Sequence, residues 1–173
     1  MSRPSKDEYY MNIAKAVSLR SPCIRRRYGA IIVKDDVIVS TGYNGPARGV
    51  INCFEIGCLK DEVGAPHGSG YDYCIGVHAE ENAIINAARS GASVNGGTLY
   101  IYGEDYKTGK IVEAKPCERC RRAIINAGIK YVVIMKEDGS IERIDVSKWV
   151  DEETENYKRR LEEVRRRKEK III

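Results

Sequence analysis

The stretch 77–102, VHAEENAIINAARSGASVNGGTLYIY, decides the architecture. Residues 77–90 read as a helix that Gly91 closes, and the β-branched and aromatic run 98–102 reads as a strand. The same alternation follows, with a helix over 117–127 stopped by Gly128 and a strand over 131–135. Upstream, residues 6–19 carry Tyr10, Ile13, Ala14 and Val17 near helical spacing. Two β-branched runs, 30–34 and 37–41, meet at Asp35-Asp36 and predict a hairpin. Helices alternating with strands predict an α/β layered domain, a mixed sheet covered by helices. The tail 151–170 reads as a charged helix.

Two stretches resist this reading. Residues 42–72 are rich in Gly and Pro with little periodicity, which is long for a structureless loop and predicts a functional or tied-down segment. Residues 104–115 read as a loop or small hairpin turning at Thr108-Gly109.

The 173 residues suit one domain, 1–173, with its core at about 6–135 and a strand and charged helix over 136–173. A net charge of +4, much of it in Arg25-Arg26-Arg27 and Arg165-Arg166-Arg167-Lys168, is mild for a nucleic-acid face and sufficient for a small anion. Residues 1–10 are polar, and apolar runs stay far below the roughly 20 residues that span a bilayer. A cytoplasmic protein without a membrane partner is expected. Disulfides rarely persist there, although the absence of Gln and the abundance of Ile, Glu, Lys and Arg resemble heat-stable proteins, where they do.

The chemistry sits in His78-Ala79-Glu80 and Pro116-Cys117-Glu118-Arg119-Cys120. Cys117 and Cys120 share one helical turn. They also open their helix, where unpaired N–H groups and the positive dipole end favour thiolate, the form that binds zinc. His78 and Glu80 are two apart, which mid-helix would separate them but at a helix start does not. Two helix starts aimed at one point would hold Zn2+ on His78, Cys117 and Cys120 and leave a fourth position open, as in catalytic sites. Two thiolates nearly cancel the ion's charge, so an unligated carboxylate is needed to accept the water proton, and Glu80 is that candidate. Taken singly, a Cys-x-x-Cys is also a structural half-site or a redox pair, and a lone His is also a packed one. Together they match the H-x-E … P-C-x-x-C signature of zinc deaminases.

With these residues in place, the chain resembles the cytidine/deoxycytidylate deaminase superfamily, most closely the deoxycytidylate (dCMP) deaminases. The likeness runs from about residue 6 to 135. It includes Arg20-Ser21-Pro22-Cys23, Gly29-Ala30-Ile31-Ile32-Val33, Gly42-Tyr43-Asn44-Gly45 and His78-Ala79-Glu80-Glu81-Asn82-Ala83-Ile84. The resemblance implies a three-layer α/β/α fold around about five strands, a homo-oligomer (often a hexamer), and hydrolysis of dCMP to dUMP and ammonia. It implies zinc-bound hydroxide attacking C4, with Glu80 relaying protons to N3 and the leaving amine. It further implies that backbone at Ala79 holds the base carbonyl and that Asn44 contacts base or sugar, although Asn44-Gly45 is equally a turn pair. Arg26 and Arg27 are candidates for a phosphate, or else a solvated basic run. Many relatives respond to dCTP and dTTP, and the same loop is the candidate site for such effectors. The chain departs from many relatives at residues 103–115, where a short link is usual.

Cys23, Cys53, Cys58 and Cys74 are left over. A second, structural zinc on these four, with His67 as a substitute ligand, would pin the Gly-rich loop, and some dCMP deaminases carry one there. Disulfides or buried apolar cysteines are the alternatives. Rival functions are a deaminase of the same fold acting on tRNA adenosine or a pterin or flavin precursor, a noncatalytic zinc-binding nucleotide sensor, and a redox protein using Cys117 and Cys120.

Overall fold

The computed structural model describes residues 2–171, with side chains to 168, so Met1, Ile172 and Ile173 of the expected domain lie outside the described residues. The chain opens with α1 (Lys6–Ser18), started by a reciprocal cap between Ser5 and Glu8. β1 (Arg26–Lys34) and β2 (Val37–Tyr43) follow as an antiparallel hairpin. Asp35 and Asp36 turn it with φ of 51° and 61°, the paired left-handed conformation that suits strand twist and that Asp tolerates.

The stretch read as aperiodic is built of short pieces: β3 (Gly45–Pro46), α2 (Cys53–Ile56), α3 (Leu59–Glu62) and β4 (Gly76–Val77), with β3 pairing β4. Next come α4 (Ala79–Ser90), β5 (Thr98–Asp105), α5 (Glu118–Asn126), β6 (Tyr131–Met135), β7 (Ile141–Asp145) and α6 (Ser147–Ile171). The five strands form one sheet ordered β2-β1-β5-β6-β7, in which β5 and β6 are parallel and every other pair antiparallel. No helix among the described residues is long and apolar enough to cross a membrane.

Alternation along the strands gives the sheet two apolar faces. Ile31, Val33, Tyr100, Tyr102 and Val133 meet Tyr10, Met11 and Ala14 of α1 on one side. Ala30, Ile32, Leu99, Ile101 and Val132 meet Ala79 and Ala83 of α4 and Ile124 of α5 on the other. The expected α/β/α layering is present.

Strand ends were the least legible part. β1 starts four residues before the expected Ala30 because Arg26 to Gly29 pair with β5, which itself runs three residues past Tyr102. Arginines conceal that pairing in the sequence. Residues 104–115 fold back on β5 through a Glu104–Ile111 bridge, with the Asp105 carboxylate accepting from the Lys107 and Thr108 N–H groups. The helix expected at Val77 begins at Ala79, because Val77 pairs with Gly45 and His78 is extended (φ −71°, ψ 156°).

Two glycines set the layer spacing. A Cβ on Gly29 would strike the α1 backbone at Ala14 and Ser18. A Cβ on Gly42 would strike the α4 backbone at Ala79 and Ala83. Gly42→Ala is therefore expected to cost about 1–3 kcal/mol through overpacking, read as a lower denaturant midpoint at unchanged m. Because Ala79 lies between His78 and Glu80, zinc retention should fall with it.

Candidate active site

α4 and α5 lie on the same face of the sheet and present their N-termini to one point. His78 is the residue before α4, and Cys117 takes the same place before α5 with extended backbone (φ −67°, ψ 165°). Cys120 and Glu80 sit in the two first turns and are buried, Glu80 to 6% exposure. The Cys117 and Cys120 Sγ atoms lie 3.5 and 3.3 Å from His78 Nδ1. Glu81 ties the helix starts together, its carboxylate accepting from the His78 N–H at 3.4 Å and from Arg119 at 2.9 Å.

Charge in the cluster is divided unevenly. Hydrogen bonds from Cys120 and His78 carry the Cys117 thiol down to about 3, against the effect of burial. Cys120 is pushed up by its hydrogen bond to Cys117 and by burial, so its proton stays in place. His78 is raised, first by its hydrogen bond to Cys117. Burial raises the Glu80 carboxyl, only partly opposed by His78.

These residues fit zinc. A tetrahedral ion with Zn–N of about 2.0–2.1 Å and Zn–S of about 2.3 Å would hold N and S about 3.6 Å apart. The two S–N separations are already near that value. Among the described residues, His78, Cys117 and Cys120 are the one group of three or more His, Cys, Asp or Glu whose ligand atoms lie within 4.8 Å of one another.

Above the cluster lies a cavity of about 150 Å³, with Tyr28, Val77, Ala79 and Ile101 in its wall and Tyr71 5.6 Å from His78, ring to ring. Cations ring it: Arg25, Arg26, Lys60 and Lys115. Arg25 is spent on the loop, pairing with Asp61 at 3.3 Å and donating to the Ala65 carbonyl at 2.9 Å. Arg26, Lys60 and Lys115 have no carboxylate within ion-pair distance among the described residues, and Lys60 is 8% exposed, its Nζ 5.1 Å from the Tyr71 ring centre. His67 registers this field. Burial first, then Arg26, Lys60 and Arg25, lower it to about 4.

The other sequence candidates divide. Arg26 lines the cavity and Arg27 does not; the Arg27 guanidinium pairs with buried Glu104 at 2.6 Å and lies over Tyr106. Neighbouring strand residues point to opposite faces, so one run of arginines serves two environments. Asn44 also lines the cavity, with its amide largely committed: Oδ1 accepts from the Tyr28 N–H and the Ser21 hydroxyl, and Nδ2 donates to the Arg26 carbonyl. Cys23, Cys53, Cys58, Cys74 and His67 line the cavity as well, without approaching as closely as the first cluster, and all six cysteines are free. Of residues 103–115, Ala114 and Lys115 reach the cavity. Lys60 carried no signal in the sequence, being an ordinary lysine in a short helix that packing alone turns inward.

Residues 4–136 match the family model for the cytidine and deoxycytidylate deaminase zinc-binding region. A deoxycytidylate deaminase of Mycobacterium phage D29 is 39% identical over 142 residues, 79% of this chain and 99% of that one. A deoxycytidylate deaminase of Schizosaccharomyces pombe is 37% identical over 131 residues, 76% of this chain. The chain spans only 37% of that yeast relative's length. The crystal structure of the dCMP deaminase from the cyanophage S-TIM5, in complex with dCMP and dUMP, superposes with a TM-score of 0.55 at 32% identity, covering 76% of this chain and 82% of that one. The convergent His-Cys-Cys cluster, the buried glutamate and the match over residues 4–136 lead to one conclusion: the chain belongs to the cytidine and deoxycytidylate deaminase family.

Proposed function

We propose that the chain deaminates a deoxycytidine nucleotide, dCMP foremost, giving dUMP and ammonia. The observation that carries this is a buried carboxyl with a raised pKa, Glu80, beside three metal donors at two meeting helix starts. The nucleotide-bound cyanophage relative and the cation-ringed cavity support the substrate class.

His78, Cys117 and Cys120 would hold the zinc, which when bound supplies the Lewis acidity that makes a water acidic near neutral pH. Everything else falls to the chain's own groups. A Glu80 oxygen takes a proton from water and delivers it to ring N3 as the water oxygen bonds to C4. The same carboxyl then carries the second water proton to the exocyclic amine. The C4–N bond breaks, ammonia leaves and the C4 carbonyl remains. A carboxyl held above its usual range suits both directions of transfer. The Ala79 N–H, one of the unpaired donors of the α4 start, is suited to the base carbonyl. Arg26 and Lys60 are suited to the phosphate, as cations without a carboxylate partner.

The assay is ammonia release from dCMP, dCTP, cytidine and adenosine by zinc-loaded protein, with and without dCTP as effector. Turnover of dCMP should fall by about 10²–10⁴-fold in Glu80→Gln with zinc content retained. Zinc-loaded protein that turns over no cytosine compound would refute the reading. Arg26→Ala should raise KM for dCMP by about tenfold, the worth of a charge-assisted contact, and leave deoxycytidine unaffected.

Zinc must displace the protons that His78 and Cys120 favour. Both are raised, so acid competes with the metal and affinity should fall as pH is lowered. Titration in weak buffer should release protons as the ion binds at the cluster, more of them at lower pH. A structural zinc on Cys23, Cys53, Cys58 and Cys74 is a second reading. It is favoured by the gathering of these thiols on one cavity wall, where burial and the other three push Cys53 up to about 11. Two zinc ions per chain by elemental analysis would support it, and one lost on His78→Ala with none remaining would exclude it.

A further inference from the structure

Among the described residues, α6 is docked only near its beginning. Trp149 is buried, with the Arg121 guanidinium 4.7 Å from its ring centre, and Glu152 and Glu153 pair with Arg121 and Arg122. One further tie reaches out, Arg160 to Glu118 at 3.9 Å. From Thr154 to Lys168 every residue is exposed. The helix runs 25 residues, about 37 Å, much farther than its docking requires.

The exposed part is patterned. Val150, Tyr157, Leu161 and Val164 are 47, 70, 36 and 49% exposed and fall on one flank. With Thr154 and Lys168 they space alternately four and three apart, the heptad seam by which helices pair. At about 100° per residue the seam lies roughly a quarter turn from the side carrying Trp149, Glu153 and Arg160, so docking on α5 leaves it open.

Charge along α6 decides the occupant. Asp151, Glu152, Glu153 and Glu155 lie near its start with no base among them. Lys158, Arg159, Arg160, Arg165, Arg166, Arg167, Lys168 and Lys170 follow, against Glu162, Glu163 and Glu169. A parallel copy would set acid on acid and base on base. An antiparallel copy sets the acidic start of each helix against the basic end of the other, and closes as a two-fold pair.

We propose that α6 is a docking surface for a second copy of this chain, the two helices packing antiparallel about an axis near Arg159. In that register Tyr157 faces Leu161 of the other copy, Thr154 faces Val164, and Asp151 stands beside Arg165. Lys158 and Arg160 come near their own counterparts at the axis, which keeps the contact modest. It therefore forms at higher chain concentration or adds to other subunit contacts.

Sedimentation velocity on the zinc-loaded full chain, over a concentration series, tests this. Tyr157→Glu with Leu161→Glu should raise the concentration for half-assembly by at least about tenfold, since both apolar layers at the axis are lost. Both side chains are exposed and Glu is a good helix former, so circular dichroism should show the fold intact. Asp151→Arg alone and Arg165→Asp alone should each weaken assembly, and the two together in one chain should restore it. An unchanged sedimentation profile in the double-Glu variant, or failure of the charge swap to restore assembly, would overturn the proposal. Binding of poly(U) through the basic end, with the mass of the chain indifferent to all these variants, would overturn it in favour of a polyanion.

Discussion

The contact between Gly42 on β2 and the first turn of α4 governs where the chemistry lies. With no side chain at Gly42, the α4 backbone settles directly on the sheet, and His78 and Glu80 are carried to a fixed height above it. α5 reaches the same face from the other side, between β5 and β6, the one parallel pair in the sheet. A parallel pair requires a crossover, and here the crossover delivers Cys117 and Cys120 to the strand ends where α4 begins. The metal donors thus converge through topology and one missing methyl group rather than through nearness in sequence.

The cluster was legible beforehand because its chemistry is carried by residue types that have few other uses in combination. His78, Glu80, Cys117 and Cys120 required only the two helix starts, and those are announced by the helical spacing after them. The hairpin at Asp35-Asp36 and the layering on both faces were legible for similar reasons of period and punctuation. The early start of β1 was not, because Arg26 and Arg27 are poor strand signals and their pairing with β5 is a property of the partner. Arg26 and Arg27 show the same limit at single-residue scale. The sequence presents one basic run, and only the pleat sends Arg26 to the cavity and Arg27 to Glu104.

The loop from Gly45 to Gly76 forms one wall of the cavity with almost no apolar core of its own. Arg25 clasps it through Asp61 and the Ala65 carbonyl, and β3 pairs with β4 at its base. Lys60 turns inward from this loop while Arg26 belongs to the sheet, so the positive field belongs jointly to a rigid layer and to a held segment. His67, lowered by burial first and then by that field, can accept a hydrogen bond at neutral pH where an ordinary exposed histidine is partly protonated.

The turn at Lys107 to Gly109 is closed by the Asp105 carboxylate and stands clear of the cavity, which only Ala114 and Lys115 reach from this segment. Its geometry is settled within the turn, by bonds among Asp105, Lys107, Thr108 and Lys110. For protein engineering this is the natural splice point. An epitope or a fluorescent peptide inserted there would ride on the outer end of β5, reporting on the folded chain without crowding the cavity.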